Sequence, residues 1–223
     1  MDAQVISSVI ALSGVFVSVI ASTFITKSIQ NRKEIDEEDR ALFRFIEPLR
    51  LATIDLKSRI INIIEKDFAY YYKHGTERQK TYYIESTIFR IAQFFALKEI
   101  ARANLYYVKK RKSNISKIYE KLEYIERRWA YHKYNNDLLY CFSDEQKEIG
   151  GYMIEINHEN IQTCIKYSDF RIKMKEGRFV LIDALRQQLA DLSNDINPSR
   201  TRLDMLKVAL ADLEKLISTV GSK

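Results

Sequence analysis

Val5 to Thr26 read VISSVIALSGVFVSVIASTFIT, twenty-two positions without a charged side chain, and the reading of this stretch decides the architecture of the chain. A helix rises about 1.5 Å per residue, so the segment reaches roughly 33 Å, enough to cross the hydrocarbon core of a bilayer. A cleaved leader would place a base ahead of a shorter apolar run, whereas here the lead-in is Met-Asp-Ala-Gln. A buried core helix of this length would carry more polar residues along one side than the Ser and Thr seen here. Residues 1–26 are therefore expected to form a transmembrane anchor. Lys27, Arg32 and Lys33 follow the span and no base precedes it, which places the N-terminus outside and the rest of the chain in the cytoplasm. Ser7, Ala11, Gly14, Ser18 and Ser22 recur every three or four positions, a face along which two anchors could approach closely and self-associate.

Beyond the anchor the chain is polar and sparsely punctuated, with Pro48 and Pro198 its only prolines, and the chain as a whole is basic by six charges. Such a pattern favours long helices, and isoleucines repeat at three or four positions instead of two. Residues 27–48 read as a charged helical stalk, stopped or bent at Pro48. Residues 49–223 read as one all-α cytoplasmic bundle. Its first helix carries Leu56, Ile60, Ile63, Ile64, Phe68 and Tyr71 on one face and stops near His74-Gly75. Thr76 and Gln79 spell a capping box for the next, which runs to about Val108. Within it STIFRIAQFFAL, Ser86 to Leu97, has a single charge at Arg90 and predicts the central, most buried helix.

A fourth helix is predicted through Ile118, Leu122, Ile125 and Trp129, followed by a loop from Tyr131 to Leu139. Ser143 and Gln146 suggest a second capping box, and Gly150-Gly151 mark a kink or a close helix contact. Asn157 to Gly177 reads as irregular, with a short helix near Tyr167–Phe170. At the end, Ile182, Leu185, Leu189 and Leu192 are expected to face Leu203, Leu206, Leu210, Leu213, Ile217 and Val220 as a coiled-coil seam. Asn197 and Pro198 would start the second of these helices, making an antiparallel hairpin.

Catalytic signatures are missing from the sequence. His74, His132, His158, Cys141 and Cys164 lack the close spacings of a metal site or redox pair, and no glycine-rich phosphate loop is present. No metal, cofactor or catalytic residue is assigned. Arg90 must either snorkel out of its apolar helix or find a carboxylate, with Glu99, Glu145 and Glu148 as the candidate partners; a structural ion pair is the first reading and a ligand-binding arginine the second. Lys98 to Lys133 holds eleven basic residues against four acidic ones. In that segment Lys109, Lys110, Arg111, Lys112, Arg127 and Arg128 are candidates for contact with an anionic surface. For a tethered protein the inner-leaflet headgroups come first as that surface, and nucleic acid ranks behind them.

The leading span, STIFRIAQFFALKEIARANLYYV, DEQKEIGGYMI and the YSDF segment together resemble an uncharacterised bacterial family of N-terminally anchored, single-pass, all-helical membrane proteins. The resemblance covers most of the cytoplasmic part and implies an inner-membrane setting. It brings no activity and no catalytic residues. The function expected is that of a non-catalytic, membrane-anchored interaction or sensing module with a protein partner not specified by the sequence. Two rivals stand beside it: a membrane effector of a defence or toxin-like system acting through anchor oligomerisation, and a membrane-tethered nucleic-acid-binding protein. A third is an enzyme acting on a lipid or nucleotide through dispersed carboxylates, Glu145 and Glu148 among them.

Overall fold

A computed structural model describes residues 26–30, 42–65, 68–106, 113–131, 139–176, 179–193 and 197–220. The expected anchor lies outside these except for Thr26, as do its packing residues Ser7, Ala11, Gly14, Ser18 and Ser22. Among the described residues no helix is long and apolar enough to cross a membrane. The chain divides into two compact units, Met1–Phe43 and Arg44–Lys223. In the first, residues 26–30 are helical and exposed.

The second unit is an all-α bundle with one small hairpin. Its first helix, α1, is the part from residue 44 on of a helix over residues 42–65. Pro48 does not stop it. Proline removes one backbone donor and crowds the preceding turn, a cost of about 3 kcal/mol in a helix interior. Burial of Ile46, Leu49, Ala52, Leu56, Ile60 and Ile63 offsets that cost. Pro48→Ala should therefore raise the stability of the folded chain by about 1–3 kcal/mol, measured as a higher thermal midpoint. A lower midpoint would mean that the ring makes packing contacts worth more than the restored hydrogen bond.

Helix α2, Phe68–His74, ends at Gly75, whose amide donates to the Tyr71 carbonyl at 2.9 Å. A β-carbon at Gly75 would lie 2.4 Å from that same carbonyl oxygen, so only glycine fits the stop. Tyr71 itself is 51% exposed and stacks near Tyr83 with ring centroids 6.1 Å apart, so it leaves the apolar face expected for it. Helix α3, Glu77–Leu105, starts at the Thr76 capping box: the Gln79 amide donates to Thr76 Oγ1, and the Thr76 amide to Gln79 Oε1 at 2.8 Å. It is the central helix, with Ile88, Ile91, Phe94, Phe95, Leu97, Ile100 and Leu105 buried. Packed around it are α2, α4 (Ser113–Ala130), α5 (Ser143–Met153), α6 (Tyr167–Lys175) and α7 (Val180–Leu192).

The helix expected to run on to Ile156 stops at Met153, and Ile154–Ile156 form a strand, β1, that pairs antiparallel with β2, Gln162–Cys164, inside the segment read as irregular, in the register Ile154↔Cys164. Three-residue strands are too short to show alternation. Their turn is held by Asn157 Oδ1, which accepts from the amides of Glu159 (3.0 Å) and Ile161 (2.9 Å), while Asn160 sits at φ 61°.

The terminal leucine rows do not face each other. Helix α7 lies on α3 and α5, and α8, Asn197–Ser218, lies along α4. Both rows are buried except Val220, which lies past the end of α8 and is only half-buried, but the helices they pack on are α4, with its buried Ile118, Leu122 and Ile125, on one side and the central helix on the other. A leucine stripe specifies that a helix buries one face. It does not specify which apolar face receives it, and α3 and α4 offer more area than a two-helix seam.

Candidate functional site

Two clusters of charge are built into the bundle, and the sequence pointed to a member of each, Glu99 and Arg90, but not to their partners. The first surrounds Lys98, an ammonium with no solvent exposure in the middle of α3. Its Nζ lies 3.0 Å from Glu126 Oε2 on α4, 3.2 Å from Glu99 Oε1, and 3.2 Å from Gln146 Oε1 on α5. Arg102, one turn along α3, also donates to Glu126. Burying these charges costs several kcal/mol each, and a complete set of partners is what makes the arrangement tolerable. Gln146 completes it by donating from Nε2 to the carbonyls of Glu126 (3.0 Å) and Cys141 (2.9 Å).

Gln146 therefore does not cap α5. The cap is one residue earlier, where Glu145 accepts from the Phe142 amide at 2.8 Å and frees Gln146 to turn inward. Burial alone would raise the carboxyl pKa of Glu126. The Lys98 ammonium, with Arg102 behind it, outweighs burial and holds that carboxyl below its ordinary value. Glu99 Oε1 is buried against Lys98 as an ion pair without a directed hydrogen bond. Nearby, the buried Trp129 indole N–H has no acceptor among the described residues, and its ring meets Phe95 edge-on at 5.5 Å. The Cys141 thiol is pushed up to about 12 by burial first and Glu145 second, and burial does the same to Cys164. Neither is an activated thiolate. This cluster is a closed structural network that locks α3, α4 and α5 together.

The second cluster lies between α1 and α3 and contains Arg90. None of the expected glutamates reaches it. Glu99 stands nine residues further along the same helix, about 13.5 Å on along its axis. Glu145 caps α5, and Glu148 accepts from the Tyr152 hydroxyl at 2.7 Å. Arg90 instead donates from Nη1 to the Ser86 carbonyl at 2.7 Å. Arg59 of α1, only 7% exposed, donates from Nη2 to the hydroxyl of the same serine at 3.0 Å. Two guanidinium groups thus converge on Ser86, and among the described residues neither has a carboxylate within ion-pair distance. Burial first, then the neighbouring Arg90 charge, lowers the Arg59 pKa, while Tyr82 and Tyr83 pull the other way. Glu85, whose charge reaches Tyr167 as that of Arg90 does, is bound to Arg171 at 3.1 Å.

Arg59 was legible in principle. It follows Leu56 by three positions and precedes Ile60 by one, which places it on the buried stripe of α1. Lys98 could have been found in the same way, since it follows the apolar run Phe94–Leu97 and precedes Ile100 by two positions.

The basic surface is only partly available. Lys109, Lys110, Arg111 and Lys112 lie outside the described residues. Arg127 is exposed, whereas the Arg128 guanidinium covers the Tyr124 ring at 4.6 Å. Lys98 and Arg102 serve the interior, and Lys121 is bound to Asp212 at 3.1 Å. Among the described residues no group of His, Cys, Asp and Glu could hold a metal ion. No protein family, curated protein or solved structure matches this chain.

Proposed function

We propose that the chain is a non-catalytic interaction or sensing module, a helical bundle held at the membrane by its N-terminal segment. The observation that carries the non-catalytic part is how the charged groups of the bundle are used. Lys98, Glu99, Arg102 and Glu126 neutralise one another, Glu145 caps a helix, and both thiols are held protonated. General acid–base work needs a titratable group both free and poised near neutrality. The tether is supported by the twenty-two uncharged residues from Val5 to Thr26 and by the bases that follow them.

Fractionation tests the tether. The full chain should remain with membranes through an alkaline carbonate wash and leave them only in detergent, while a chain lacking residues 1–26 should not. Recovery of the full chain in the aqueous fraction without detergent would remove the membrane part of this reading.

A further inference from the structure

We infer that Arg59 and Arg90 form a binding site for a phosphate group, with Ser86 and Tyr82 as neutral hydrogen-bonding partners. A buried guanidinium normally has a carboxylate, because uncompensated charge in the interior costs several kcal/mol. Arg59 is buried, a second cation shares its serine, and the contacts of both are to neutral oxygens. The network around Lys98 shows how the same bundle treats buried cations elsewhere, with two carboxylates and an amide close by. Among the described residues the corner between α1 and α3 thus lacks about the negative charge that a phosphate dianion supplies. Guanidinium forks match phosphate oxygens in paired hydrogen bonds, and the serine and tyrosine hydroxyls can donate to the remaining ones.

Access is on the side of α3. Arg90 is half-buried, and Tyr82 and Tyr83, which act electrostatically on Arg59, line a neighbouring open groove of about 440 Å³ with Thr76, Arg78 and Gln79, a groove that neither arginine lines. Arg78 adds a third cation at its rim, with exposed Tyr82 offering a ring face beside it. Because Arg59 belongs to α1 and Arg90 to α3, a bound phosphate joins the two helices. The inference gives the sensing reading a ligand class, and it does not depend on the tether.

The test uses the full chain in a non-ionic detergent and chloride buffer. Thermal unfolding is followed at constant ionic strength against inorganic phosphate and, separately, against water-soluble dihexanoyl phosphatidic acid. The expected result is a saturable rise in midpoint with at least one of them, and an apparent affinity at least tenfold weaker in Arg90→Gln. In Arg59→Met the midpoint without ligand should stay level or rise, since an unpaired buried charge is removed, while the ligand-dependent rise is lost. A purely structural Arg59 would instead give a lower midpoint. Response to inorganic phosphate identifies a soluble phosphate as the source, and response to the lipid analogue alone identifies a headgroup. Should neither probe give a saturable shift, or should both variants shift as the parent does, the site is overturned. Phosphate stabilises many proteins non-specifically, and the variants separate that effect from binding. If Arg59→Met fails to fold, the half-exposed Arg90→Gln decides alone. Membrane fractionation of the same preparations shows independently whether the tether holds.

Discussion

Replacing Glu126 by alanine should lower the unfolding free energy by about 3 kcal/mol, the lower end of the cost of breaking a buried ion pair. Lys98 has no exposure to water and cannot reach it, so loss of its 3.0 Å partner leaves only Glu99 as a counter-charge. Arg102 suffers less, because it is partly exposed and can turn outward. Combining Glu126→Leu with Lys98→Met should recover much of the loss, since both charges then leave together. Denaturant unfolding of the full chain and the variants measures both quantities.

The same network sets an acid limit. The folded pKa of Glu126 lies below the ordinary 4.5, so its contribution is complete above that value and disappears as pH falls through the folded pKa. Parent stability should therefore fall on acidification below about 4.5 more steeply than that of the Leu/Met double variant. A single Glu126→Ala variant that loses less than about 1 kcal/mol would show that water reaches Lys98.

The other large effect is expected at Gly150. A β-carbon there would lie 3.0 Å from the Phe95 carbonyl carbon and 3.1 Å from the Ala96 nitrogen, both backbone atoms of the central helix. Backbone inside a packed helix cannot turn aside as a side chain can. Gly150→Leu should push α5 off α3 and cost about 3 kcal/mol, the top of the usual range for overpacking. It should also disturb the Gln146 bridge one turn earlier, which ties α5 to Lys98. Gly150→Ala should cost less, because its better helix propensity returns up to about 1 kcal/mol.

Gly151 provides the control. Its β-carbon would meet nothing within 4 Å, so Gly151→Ala should be neutral or stabilise by up to about 1 kcal/mol. Equal effects at the two positions, read by near-ultraviolet circular dichroism and denaturant midpoints, would refute the close approach.

Several elements were legible because their causes are local. The Thr76–Gln79 capping box is written in four residues, and the helix it opens forms where the pattern places it. The same holds for the apolar repeat Ile118, Leu122, Ile125 and Trp129, all of it buried in α4. Gly150-Gly151 announced a special contact, but both glycines look alike in the sequence. Only the position of α3 distinguishes the crowded one from the open one.

By itself the sequence determined that the bundle is helical, most of its apolar faces, and where α3, α5, α6 and α8 begin. Those properties follow from periodicity and capping chemistry, which act within a few residues. Tertiary structure alone decided that α7 packs on α3 while α8 packs on α4, that Gln146 turns inward, and that Arg90 meets Arg59 and not a glutamate. Charge partners are chosen by which helices become neighbours. Arg90 reaches Ser86 within its own helix, four positions away, whereas Arg59 is twenty-seven positions from that serine and only the packing of α1 on α3 brings it there.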